Sequence, residues 1–139
     1  MSHWTDRYIG LPHLDLGRTR EGCDCYGLAR IIFEQELGIS LPDYRGYANC
    51  DERNEITALI SGAALSPMWA PVAGQAAAYD IALFNRGRYA SHIGIVASPG
   101  LMVHMAEAEH SRLEHYRSGL WSHRLVGHYR HVDMVSRTF

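Results

Sequence analysis

The spacing of apolar residues changes partway along the chain. From Cys25 onward, Leu28, Ala29, Ile32, Phe33 and Leu37 recur at steps of three and four, which predicts an amphipathic helix halted by Gly38. Cys25 falls on the face of Leu28, Ala29 and Ile32 and therefore points inward. Asp24 precedes it, placed to cap the helix by accepting first-turn amide hydrogens. Upstream, Gly10, Pro12, Gly17 and Gly22 break any period while Arg18, Arg20 and Glu21 keep the segment wet, so residues 8–22 read as a loop. After a break at Leu41-Pro42-Asp43-Tyr44, Asn49 and Glu52 resemble a capping box opening a second helix through Ile56, Leu59 and Ile60. The connector from Pro67 to Ala78 carries no assignable period.

In the second half the pattern turns to short alternating or β-rich runs: Asp80 to Phe84, Ala90 to Ala97, Leu101 to Ala106 and Leu125 to Arg130. Asn85-Arg86-Gly87 and Ser98-Pro99-Gly100 separate the first three. The stretch from Glu107 to Ser118 is polar and reads as loop or surface. Helices followed by strands predict an α+β domain, its antiparallel sheet packed on the helix that carries Cys25.

The strand alternation has a consequence for two histidines. His92, Gly94 and Val96 share one face of their strand, and Met102, His104 and Ala106 line up on the next. With an odd hairpin loop such as Ser98-Pro99-Gly100, His92 faces Ala106 and His104 becomes its diagonal neighbour on the same face. An even loop would separate the two rings.

Length and composition narrow the possibilities. A chain of 139 residues with 47% hydrophobic and 20% charged residues is expected to form a single domain over 1–139 with a core of its own. A net charge of -2 gives no electrostatic reason to bind nucleic acid or an anionic membrane. No apolar run is long enough for a membrane span, and the amino-terminal residues lack a basic start followed by an apolar run, so neither export nor anchoring is expected. Nine histidines are scattered without the spacing of a metal finger, and no cofactor is expected. Cys23, Cys25 and Cys50 make an odd count, leaving at least one thiol free.

A thiol in the first turn of a helix meets unpaired amide hydrogens and the positive end of the helix dipole, both of which favour thiolate. Nucleophilic catalysis by a thiol also needs an imidazole to handle its proton and a polar group to orient that imidazole. Cys25, His92 and His104 fit these roles, with the Cys25 amide a natural oxyanion donor. The residues alone leave three readings open: a thiol enzyme, an inert buried cysteine, and a metal site. Cys23 reads as filler, since Cys-x-Cys without a second pair makes no tetrahedral site. Arg18 and Arg20 either meet substrate carboxylates or are ordinary solvated charge.

A family pattern adds to this reading. Tyr8-Ile9-Gly10-Leu11-Pro12, Gly17-Arg18-Thr19-Arg20-Glu21-Gly22, Asp24-Cys25-Tyr26-Gly27-Leu28 and Glu36 to Pro42 resemble the NlpC/p60 cell-wall cysteine peptidases, closest to their bacteriophage tail branch. Asp80 to Phe84, Ser91-His92-Ile93-Gly94-Ile95-Val96, Val103-His104 and Leu125 to Arg130 continue the resemblance in order. It implies a papain-like α+β fold, a Cys25 nucleophile, a His92 base and His104 as the orienting residue. It further implies a peptidoglycan stem peptide as partner, cut between D-γ-glutamate and a diamino acid, with phage tail proteins as further partners and a place in a phage or prophage virion. Two stretches depart from the pattern of many relatives: His13 stands where they have a tyrosine, followed by Asp15 and Leu16 instead of tryptophan and glycine, and Tyr26 replaces a common serine, as fits the tail branch, where an aromatic is usual. The rival expectations are a non-catalytic tail-assembly subunit and a thiol acyltransferase on the same fold.

Overall fold

The structure, a computed structural model, describes residues 3–42, 69–86, 89–106 and 109–135. Its centre is a six-stranded antiparallel sheet of β3 (Trp69–Pro71), β4 (Ile81–Arg86), β5 (Tyr89–Ser98), β6 (Leu101–Met105), β7 (Ser111–His115) and β8 (Leu125–His131), in the order β3-β8-β4-β5-β6-β7. A small hairpin of β1 (Arg18–Thr19) and β2 (Gly22–Cys23) stands apart and leads into the helix α1 (Cys25–Ile32). The α+β expectation holds, and α1 packs against β5 and β6.

The strands alternate between two buried clusters. Ile81, Leu83, Ile93, Ile95, Val103 and Met105 join Leu28, Ala29 and Ile32 of α1 in one. Ala82, Phe84, Val96 and Met102 join Tyr116 and Trp121 in the other. A sheet apolar on both faces must be covered on both, by the helix on one side and by the segment around Trp121 on the other.

The helix begins at Cys25 because Asp24, in extended backbone, accepts the Gly27 amide hydrogen at 2.7 Å. Its continuation, Phe33–Leu37, widens to π-type bonding and ends at Gly38, whose φ of +68° suits glycine. The expected helix over Cys25 to Leu37 is therefore one α-helix running into a π turn.

The β5–β6 register agrees with the sequence: Gly94 faces His104, Ile95 faces Val103 and Val96 faces Met102. The odd residue is not in the loop but in a bulge between Val96 and Ser98, beside a two-residue turn of Pro99 and Gly100. A bulge adds one residue to one strand just as a longer loop would, so the same faces are preserved. Gly100 takes φ +83° in that turn.

Two assignments need correction, and one unassigned segment gains a strand. The loop 8–22 contains β1, β2 and the end of a 3-10 helix, Trp4–Tyr8. The polar stretch Glu107 to Ser118 contains β7, an edge strand with a single aliphatic residue, Leu113, which hides it from any apolar alternation. The unassigned connector supplies β3. The second helix expected from Asn49, together with Cys50, lies outside the described residues. Among the described residues no helix is long and apolar enough to cross a membrane.

Candidate active site

His92 and His104 come together as the register requires. His92 Nε2 lies 2.9 Å from His104 Nδ1, with the rings close to perpendicular at 88°. Both side chains are buried, 1% and 0% exposed. A buried imidazole needs partners for both nitrogens, and on the far side His104 Nε2 meets Glu114 Oε1 at 2.8 Å. Glu114 arrives from β7, where Arg112 faces His104 and Glu114 faces Met102. His92 and Glu114 are thus both diagonal neighbours of His104, one on each side.

Glu114 is the residue that sequence reasoning missed. Pairing β7 with β6 would have revealed it, but a strand reading Ser-Arg-Leu-Glu-His carries no alternating apolar signal. Burial raises its carboxyl pKa, yet the hydrogen bond from His104, the charge that ring carries when protonated, and the charge and hydrogen bond of Arg112 together outweigh that and hold it below the ordinary range. Arg112 Nε lies 3.3 Å from the same Oε1, and its Nη1 reaches Glu109 at 3.2 Å.

Trp121 closes the site from above. Its indole stacks on His92 and meets His104 edge-on, with centroids 5.4 Å apart. A cavity of about 250 Å3 opens here, lined by His92, His104, Glu109, Arg112, Trp121 and Arg124 among others. The Arg124 guanidinium lies 5.3 Å over the Trp121 ring.

Cys25 is the first residue of α1 and is 2% exposed. It belongs to the buried cluster on the helix side, whereas the ring contacts of His92, Phe84 and Trp121, belong to the other. Helix and histidines are linked by the packing of α1 on the two strands that carry the rings. Burial, with the charge of Asp24 adding to it, pushes the neighbouring Cys23 thiol up to about 12, so Cys23 is inert at neutral pH.

The remaining candidates separate. His13 pairs with Cys23 in a β-bridge, and its amide donates to the Glu109 carbonyl at 3.2 Å, so it stands beside the strand that leads to Cys25. Leu16 holds φ +59°, the left-handed backbone that favours glycine, and its amide donates to Asp24 Oδ2. Arg18 is not solvated: its side chain is 5% exposed, 3.2 Å from Asp24 Oδ1, and lies over the Tyr26 ring. Arg20 is exposed but folds back, donating to the Arg7 carbonyl and covering Tyr8. Both arginines therefore brace the loop that delivers Asp24 and Cys25. Among the described residues no three His, Cys, Asp or Glu side chains are gathered as a metal site requires.

Comparison with known proteins agrees with this architecture. The curated Gamma-DL-glutamyl hydrolase of Bacillus subtilis is 25% identical over 125 residues, covering 88% of this chain and 26% of its own. The chain thus spans about a quarter of that relative's length. Among solved structures, an NLP/P60-family lipoprotein-like protein of Staphylococcus aureus superposes with a TM-score of 0.64 at 21% identity, covering 91% of this chain and 38% of that one. The NlpC/p60 domain of the peptidoglycan hydrolase SagA gives 0.55 at 20% identity, with 80% and 82% covered. At these identities the structures speak for the fold. The sequence model of the NlpC/P60 family matches residues 12–130, nearly the whole chain, and on that match the chain belongs to the NlpC/P60 family.

Proposed function

We propose that this chain is a cysteine peptidase or amidase that hydrolyses peptidoglycan stem peptides, with Cys25 as nucleophile, His92 as base and His104 as the residue that orients it. One observation carries the reading: two buried imidazoles joined at 2.9 Å, on the very strands against which the helix headed by Cys25 packs. Burying two imidazoles is costly unless their hydrogen bonds are satisfied, and an apolar pair would pack the same space without that demand.

In this scheme Cys25 gives its proton to His92, and sulfur adds to the amide carbon while the Cys25 amide holds the developing oxyanion. The C–N bond then breaks and the leaving amine takes the proton from His92. Neutral His92 next removes a proton from water, whose oxygen attacks the thioester, and the carboxylate product leaves as Cys25 is released. The bond is the amide between D-γ-glutamate and a diamino acid, in keeping with the γ-glutamyl specificity named for the Bacillus relative. Arg124, facing the cavity over Trp121, takes the part of carboxylate partner that the sequence offered to Arg18 and Arg20. His13, beside Cys23, occupies the place of the family's tyrosine and borders the substrate. The phage or prophage tail as the setting, with tail proteins as neighbours, rests on the resemblance of the Asp24 to Leu28 segment to that branch.

The test is incubation of wild type and Cys25→Ala with purified stem peptides, followed by mass spectrometry. A new free amine on the diamino acid from wild type alone is the expected result. No product from either protein would favour a structural tail subunit, and transfer to an added amine would favour an acyltransferase.

A further inference from the structure

We infer that Glu114 is a positioning residue of this site: by accepting the Nε2 hydrogen of His104 it fixes both imidazoles in the tautomer that leaves Nδ1 of His92 as the basic nitrogen. The inference deepens the proposed function and rests on it for its catalytic consequence.

An ionised carboxylate can only accept, so the 2.8 Å contact places the hydrogen on His104 Nε2. A neutral imidazole with hydrogen on Nε2 presents Nδ1 as acceptor, and the group 2.9 Å from that nitrogen is His92 Nε2, which must then be the donor. His92 with hydrogen on Nε2 keeps its lone pair on Nδ1. Each tautomer is set by its neighbour, starting from the Glu114 carboxylate.

Glu114 is itself held. Arg112 donates to the same oxygen from one residue along the edge strand's face, and Arg112 is in turn tied to Glu109. When His92 becomes imidazolium, its charge lies one ring away from this carboxylate, which is placed to stabilise it through His104 without taking the proton. A carboxylate 30% exposed on an edge strand contributes little packing, which argues for an electrostatic and orienting part rather than a structural one.

The test uses the whole chain with ¹⁵N-labelled histidine, His92 and His104 being assigned from single variants. Long-range ¹H–¹⁵N spectra of wild type at neutral pH are expected to show both rings as Nε2–H tautomers. Glu114→Ala should leave His104 a mixture of tautomers and lower kcat roughly 10–100-fold, part of the 10²–10⁴-fold worth of a general base, with KM moving less than about twofold. Glu114→Gln, which still accepts a hydrogen bond, should retain both tautomers and lose less. A wild-type His104 carrying hydrogen on Nδ1, or Glu114→Ala with unchanged tautomers and kcat, would overturn the inference. The tautomers are read without substrate, so a protein that shows them but cleaves no stem peptide would refute the proposed function while upholding the Glu114 assignment.

Discussion

The Trp121 indole lies parallel to the His92 imidazole, with ring centroids 4.7 Å apart and planes inclined by 17°. Trp121 sits at the end of a 3-10 turn, Gly119–Trp121, and is 9% exposed. It also bears edge-on against Phe84, so it serves as both a core residue and a stop for the imidazole. Trp121→Ala should therefore cost about 3–5 kcal/mol in urea unfolding and lower kcat as His92 gains rotational freedom. Trp121→Phe, which keeps a ring in place, should recover most of both. Equal activity in all three proteins would remove Trp121 from the positioning of His92.

Gly27 makes a second, purely steric prediction. A Cβ at this position would lie 2.1 Å from the Gly17 carbonyl oxygen and 3.2 Å from Asp24 Oδ1, and backbone cannot step aside as a flexible side chain can. Gly27→Ala should destabilise the protein by about 3 kcal/mol, the upper end for overpacking. Helix propensity alone predicts the opposite sign, a gain of about 1 kcal/mol. The direction of the shift in urea midpoint thus decides whether α1 and the loop before it are packed backbone to backbone.

Outside the cavity lining, His128 links stability to pH. Its Nε2 lies 2.8 Å from the Tyr116 hydroxyl, and burial lowers its pKa, with Asp80 opposing and Arg117 adding to the effect. Below the ordinary value of 6.5 the unfolded chain takes up a proton there that the folded chain resists, so stability is full above that pH and falls as the pH drops through it. His128→Gln, which still accepts from the tyrosine hydroxyl, should show a smaller loss of Tm between pH 7.5 and pH 5 than wild type. Equal losses would contradict this account of His128.

Much of this was legible in the sequence because it rests on periods and local chemistry. The α1 start, its Asp24 cap and the Gly38 stop follow from local sequence, and the common face of His92 and His104 follows from strand alternation once an odd residue between the strands is assumed. Glu114 was not legible, because β7 is an edge strand whose exposed alternate positions need no apolar residues. Arg18 was misread for a related reason. Charge in a glycine-rich loop looks wet until the fold shows a buried carboxylate, Asp24, waiting for it. The bulge at Ala97 was hidden as well, since a bulge and a longer loop place the same residues on the same faces.

The central claim is that Cys25, placed by its packing in the α1-side cluster, and the imidazole pair, resting on Phe84 and Trp121, act as one unit. Its most direct test is the pH dependence of iodoacetamide alkylation of Cys25 in folded wild type and His92→Ala, read by peptide mapping. The Cys23 thiol, pushed up to about 12, serves as the internal unreactive control. The account predicts that wild-type Cys25 reacts with a midpoint below the ~8.5 of a free thiol, and that His92→Ala slows it at least about tenfold at pH 6.5 by removing the proton acceptor. A Cys25 profile unchanged by the loss of His92, or a Cys25 no more reactive than Cys23, would contradict it.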